Sequence, residues 1–140
     1  MLNRVIFYTL EKAIKRYRQF AQNNIDRAGV DITIDQWLVL NVIQESPTLG
    51  QHEIGDRVFK DQASIARIIN LLVKKQLITQ TASKQDRRRV DRQITAKGEA
   101  LIEAVAPIIA QNRRAALEGL SDEAIDQLRQ TLLHIDGNCN

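Results

Sequence analysis

The chain has 140 residues, enough for a single domain with its own core. Hydrophobic residues are 44% and charged residues 26%, a balance that excludes a disordered chain, and a formal net charge of +3 means that any basic signal is local. No apolar run approaches the roughly 20 residues of a membrane span. Met1-Leu2-Asn3-Arg4-Val5 lacks a secretion-signal layout, so the expectation is a cytoplasmic protein with no membrane partner. The lone cysteine, Cys139, excludes an internal disulfide and reads as part of a frayed tail.

Six helices and one hairpin are predicted in chain order. The first helix spans Leu2 to Arg27, with an apolar stripe through Val5, Ile6, Leu10, Ile14, Tyr17, Phe20 and Ile25 that is wide enough for more than one neighbour. Ala28-Gly29 ends it. The second starts at Thr33, where Thr33 and Gln36 form a capping box inside an Ile32/Trp37 staple, and runs towards Pro47. The third starts at Gly50 and is expected to carry Ile54, Val58 and Phe59 inward. The fourth is capped by Asp61; Ile65, Ile68, Ile69, Leu72 and Val73 make its buried face, leaving Gln62, Ser64, Arg67, Asn70 and Lys74 outside.

Two short strand-like runs follow, Leu77 to Thr81 and Val90 to Thr95, with alternating apolar residues in the second. Between and within them lie Lys84, Arg87, Arg88, Arg89 and Arg92, opposed only by Asp86 and Asp91. This reads as a β-hairpin with a basic tip. Thr95 caps a long fifth helix that contains Pro107, where a bend is expected, and ends near Gly119. Ser121 caps the sixth helix, whose stripe is Ile125, Leu128, Leu132 and Ile135.

Helices three and four read as a helix-turn-helix, and the hairpin makes it winged. In that geometry the start of the second helix meets base edges in the major groove. Here those residues are Gln62, Ala63, Ser64 and Arg67. Glutamine pairs bidentately with adenine, arginine with guanine, and an alanine methyl touches thymine. The N–H groups at the helix start can hold a phosphate. A charge run is most often a solvated loop. Four arginines around one turn, just after a helix-turn-helix, point instead to DNA: a tip arginine can enter a narrow minor groove, while Lys84 and Arg87 suit phosphates.

The chain resembles the MarR family of winged-helix regulators. Asp86-Arg87-Arg88 fits its Asp-x-Arg wing motif, and Ile94-Thr95-Ala96-Lys97-Gly98 fits its Leu-Thr-x-x-Gly. Thr33 to Leu40 is similar to the family's second helix, and Ala66 to Leu72 to the heart of its recognition helix. The resemblance implies a mainly α fold: a winged helix-turn-helix lobe with a two-stranded β-wing, over residues 33–95, and long dimerisation helices over residues 1–32 and 96–140. It implies a homodimer on double-stranded DNA. Arg88 would aim at the minor groove, Asp86 would orient the wing through an ion pair, Lys84, Arg87 and Arg89 would hold phosphates, and Ser64 and Arg67 would lie in the major groove. Three departures concern wing geometry. Gln76 stands where the family usually has glycine, Gln80 stands where arginine is common, and Asp91 and Arg92 make the second strand more polar.

The resemblance also implies an effector, a small aromatic or lipophilic anion bound between the dimerisation helices and the DNA lobe. Candidate pocket residues are Tyr8, Arg16, Tyr17, Phe20 and Trp37, set against the plainer reading of core or interface aromatics. Peroxide-sensing relatives keep a cysteine in the first helix, and this chain has none there. His52 and His134 lack partners at ligand spacing, so no metal and no cofactor is expected. No nucleophile–base pair, carboxylate pair or phosphate loop suggests an enzyme. The leading expectation is a sequence-specific, ligand-responsive repressor on a pseudo-palindromic operator. The alternatives are a sequence-tolerant architectural DNA binder and a winged-helix protein-interaction module.

Overall fold

The computed structural model describes residues 1–140. After a short 3-10 turn at Leu2–Arg4, the elements run α1 (Ile6–Arg27), α2 (Ile34–Glu45), α3 (Gln51–Val58), α4 (Gln62–Lys74), β1 (Ile78–Ala82), β2 (Val90–Ile94), α5 (Ala96–Ala116) and α6 (Asp122–Asn138). The first helix is thus shorter than its apolar stripe predicts. Val5 is extended (φ −84°, ψ 111°) and separates the 3-10 turn from α1. The predicted caps at Thr33, Asp61, Thr95 and Ser121 all accept the expected backbone N–H. The Thr33/Gln36 box closes in both directions, at 3.1 and 3.2 Å. α5 continues through Pro107.

The core fills the space between α2, α3, α4 and the base of the hairpin. Val39, Leu40, Ile43, Ile54, Ile65, Ile69, Leu72, Leu77 and Ile78 are essentially solvent-free, and Ile25 and Val105 join them from α1 and α5. Phe59 corrects the expectation that it points inward. It is 90% exposed, because α3 ends there in a left-handed turn (φ 62°) that swings the side chain out.

β1 and β2 pair antiparallel, with Ile78 opposite Ile94, Gln80 opposite Arg92 and Ala82 opposite Val90. The turn into β1 carries the irregularity that the missing glycine predicts. Gln76 has φ 63°, its N–H bonds the Val73 carbonyl at 2.9 Å, and the Leu77 N–H bonds the Leu72 carbonyl at 3.0 Å. This is a Schellman closure built without glycine.

The sequence Ile94-Thr95-Ala96-Lys97-Gly98 has a packing explanation. The Thr95 hydroxyl donates to the Gln76 carbonyl at 2.7 Å and accepts the Gly98 N–H at 3.0 Å. A Cβ on Gly98 would lie 2.3 Å from the Leu77 carbonyl oxygen and 2.8 Å from Ile94 Cγ2. Only glycine lets α5 start this close to the sheet.

The two ends of the chain are different in kind. α6 buries no residue, and α1 buries only Ala21 and Ile25. Ile6, Phe7, Ile14, Leu128, Leu132 and Leu133 remain exposed. Where α1 does meet α5, a polar clamp holds them: Asn112, almost fully buried, accepts from Asn24 at 2.8 Å and donates to the Ala21 carbonyl at 3.3 Å.

Candidate nucleic-acid interface and effector pocket

α4 presents its first turn to solvent, with Gln62, Ala63 and Arg67 exposed and Ser64 half-buried. Asp61 dominates this end. Its carboxylate accepts the Ser64 N–H at 2.8 Å and the Ser64 hydroxyl at 3.2 Å, and Arg67 donates to Ser64 Oγ at 3.4 Å. The Ser64 backbone hydrogen bond, with help from its hydroxyl, holds the Asp61 carboxyl below the ordinary carboxylate range. The side chain of Asp61 thus caps the start of the helix with its own negative charge. α3 approaches α4 closely at Gly55, where a Cβ would come within 3.1 Å of the Lys60 carbonyl and the Gln62 side chain.

The wing tip is ordered from within. Ser83 Oγ accepts the Gln85 and Asp86 N–H groups at 3.2 and 3.3 Å, and the Ser83 N–H reaches the Arg89 carbonyl at 3.0 Å. Asp86 accepts the Arg88 N–H at 2.9 Å and forms no ion pair, so the expected brace is a hydrogen-bonded turn instead. Lys84, Arg87, Arg88 and Arg89 are exposed and no carboxylate pairs with them. Such heads stay available to an external anion.

Arg92 differs from the other basic residues of the hairpin. It lies on the same face as Val90 and Ile94, since side chains two apart share a face, but it is only 5% exposed. Its Nε donates to Gln80 Oε1 at 3.0 Å, directly across the ladder, and its Nη1 donates to the Leu49 carbonyl at 3.3 Å. Its N–H meets the Pro47 carbonyl at 3.4 Å. Burial lowers its pKa from the usual arginine value, and an arginine still stays charged. Arg92 therefore ties the wing to the α2–α3 loop and cannot reach DNA. The two polar departures at Gln80 and Arg92 turn out to be one cross-strand pair, which no reading of either position alone would find.

A cavity of about 410 Å³ lies between α1, α2 and α5. Tyr17 and Trp37 line it, as do Ile14 and Leu38, and its two charged groups are Arg18 and Arg113. Phe20 lines a neighbouring cleft beside Pro107 and Asn112. Tyr8 and Arg16 are exposed on α1 and line neither. Arg18 and Arg113 were missed because arginines on amphipathic helices look like solvated surface.

Arg18 also reaches Asp35 in the first turn of α2, and Asp35 Oδ2 holds Lys60 Nζ at 3.0 Å. Burial opposes ionisation of Asp35, but hydrogen bonds and charge from Lys60 and Arg18 outweigh it and leave its carboxyl below the ordinary range. A second tie runs from Lys75, at the end of α4, to Asp31 and to Gln36 Oε1, the latter at 3.1 Å.

The sequence pattern of the MarR family matches residues 30–89. The HTH-type transcriptional regulator MhqR of Bacillus subtilis (strain 168) is 26% identical over 133 residues, covering 95% of this chain and 90% of MhqR. A probable transcriptional regulator from Pseudomonas aeruginosa has a crystal structure that superimposes with a TM-score of 0.85 at 29% identity, covering 96% of this chain and 99% of that one. Two further structures share the fold. Mutant MarR from E. coli complexed with operator DNA gives a TM-score of 0.85 at 18% identity, with 94% of each chain covered. BpsR of Bordetella bronchiseptica, whose DNA binding is regulated by 6-hydroxynicotinic acid, gives 0.84 at 22% identity, covering 94% and 92%. No helix of this chain is long and apolar enough to cross a membrane.

Proposed function

This chain belongs to the MarR family of winged helix-turn-helix transcriptional regulators, and from that premise we propose that it acts in the cytoplasm as a homodimeric, ligand-responsive repressor of a pseudo-palindromic operator. The proposed division is a DNA lobe at residues 33–95 between dimerisation helices at residues 1–32 and 96–140. The observation that carries the reading is a capped recognition helix beside four unpaired basic side chains on one ordered wing. Gln62, Ala63, Ser64 and Arg67 face the major groove, Arg88 the minor groove, and Lys84, Arg87 and Arg89 the phosphates. Asp86 holds the tip in shape.

The unpartnered apolar surfaces of α1 and α6 support the homodimer. A large apolar face left bare on a monomer is normally an interface. Two-fold symmetry then sets the half-sites about one helical turn apart. The cavity beside Tyr17 and Trp37 fits a small aromatic or lipophilic anion, because its walls are apolar and Arg113 has no carboxylate partner.

Titrating selected genomic fragments against the protein and its Arg88→Ala variant tests the reading. We expect the variant to lose roughly 1–3 kcal/mol of specific binding. Normal binding by the variant would remove Arg88 from the interface. Equal affinity for selected and random DNA would favour the architectural reading instead.

A further inference from the structure

Arg18 stands in two places at once. It lines the cavity and it pairs with Asp35 at the entrance of α2. The second oxygen of Asp35 is taken by Lys60, which immediately precedes Asp61, the cap of the recognition helix. Lys60 is fixed on its other side by its own N–H, which bonds the Gly55 carbonyl at 2.9 Å. One carboxylate therefore joins a helix of the dimer body to the turn of the helix-turn-helix. These pairs are also sheltered. The Arg18, Lys60 and Asp35 side chains are 40%, 34% and 25% exposed, against 73% and 66% for Lys15 and Glu11. Screening by solvent and salt is correspondingly weaker at Asp35.

We propose that Arg18, Asp35 and Lys60 form the relay through which an organic anion in the cavity weakens DNA binding. The anion competes with Asp35 for Arg18. Asp35 then keeps only Lys60, and the first turn of α2 and the turn before α4 lose their shared anchor on α1. The residues are positioning groups that touch neither base nor phosphate. The proposal rests on the effector pocket inferred above, and a ligand can shift DNA affinity only by its differential affinity for the two arrangements.

Trp37 is the one tryptophan in the chain and lines the cavity, so occupancy and DNA affinity can be read separately. The probes are 4-hydroxybenzoate and 6-hydroxynicotinate at millimolar concentration. Trp37 fluorescence reports binding, and anisotropy of a labelled genomic fragment reports DNA affinity. The full-length protein, Asp35→Asn, Lys60→Met and the control Lys15→Met are compared, with melting curves to confirm folding.

In the wild type and the control, a probe that quenches Trp37 should weaken DNA binding by about 5-fold or more. In Asp35→Asn and Lys60→Met the quench should persist while the weakening falls below about 2-fold. Full weakening in a quenched, folded Asp35→Asn protein would overturn the relay and leave the pocket intact. If no probe quenches the wild type, the pocket reading fails on these ligands, and the relay is judged on the free proteins. A loss of about 3-fold or more in DNA affinity for both Arg18→Met and Asp35→Asn supports it, and wild-type or tighter binding in either variant overturns it.

Discussion

Gly98→Ala sets helix propensity against packing at the junction of α5 and the wing. Propensity alone favours alanine inside a helix by up to about 1 kcal/mol. The added methyl would, however, lie 2.3 Å from the Leu77 carbonyl oxygen. That oxygen cannot move freely, because it accepts the Thr95 N–H at 3.0 Å. Backbone must shift, and overpacking of this kind costs typically about 1–3 kcal/mol. The steric effect therefore wins, and a net loss of about 1–2 kcal/mol lowers Tm by roughly 3–8 °C for a chain of this length. Gly137→Ala is the control, since a Cβ there meets nothing within 4 Å. It should melt at or slightly above the wild type. The assay is thermal denaturation at one fixed protein concentration, because a dimer's Tm depends on it. If Gly98→Ala melts at or above the wild type, the close approach of α5 to β1 is wrong.

Other substitutions probe separate parts. Gln76→Gly should raise stability by up to about 1 kcal/mol in urea titrations, because a left-handed residue with a Cβ is strained at φ 63°. Arg92→Met should leave Tm within a few degrees, since a long apolar chain can fill the site, yet weaken operator binding by freeing the wing from Gln80 and Leu49. Matching salt titrations should show an unchanged number of phosphate contacts, because Arg92 makes none. Asp35 gives a pH test. Its folded pKa is depressed, so its contribution is present above the unfolded value of about 4 and is lost as pH falls through the lower folded value. In Asp35→Asn that part of the acid-side decline should disappear from urea midpoints measured between pH 7 and 3.

The helices, caps and wing were legible because their signals are local. Thr33 with Gln36, Asp61, Thr95 and Ser121 each satisfy an N–H three residues away, a spacing that the sequence displays directly. Gln76 was legible as an anomaly, since a helix closed this way asks for glycine. What stayed hidden depends on distant partners. Phe59 looked like one more apolar position until the turn at its own backbone pointed it outward. Arg92 looked like one more wing cation, and only the register opposite Gln80 shows why it is buried. Arg18 and Asp35 lie 17 positions apart on different helices, so no periodicity could bring them together.

Sequence-specific recognition by a symmetric dimer can be tested by selection from genomic DNA followed by competition titration. The selected fragments should share an inverted repeat with half-sites about one helical turn apart. At equal salt they should bind at least ~10³-fold more tightly than random DNA. Fragments with no common repeat, bound no better than random DNA, would contradict it.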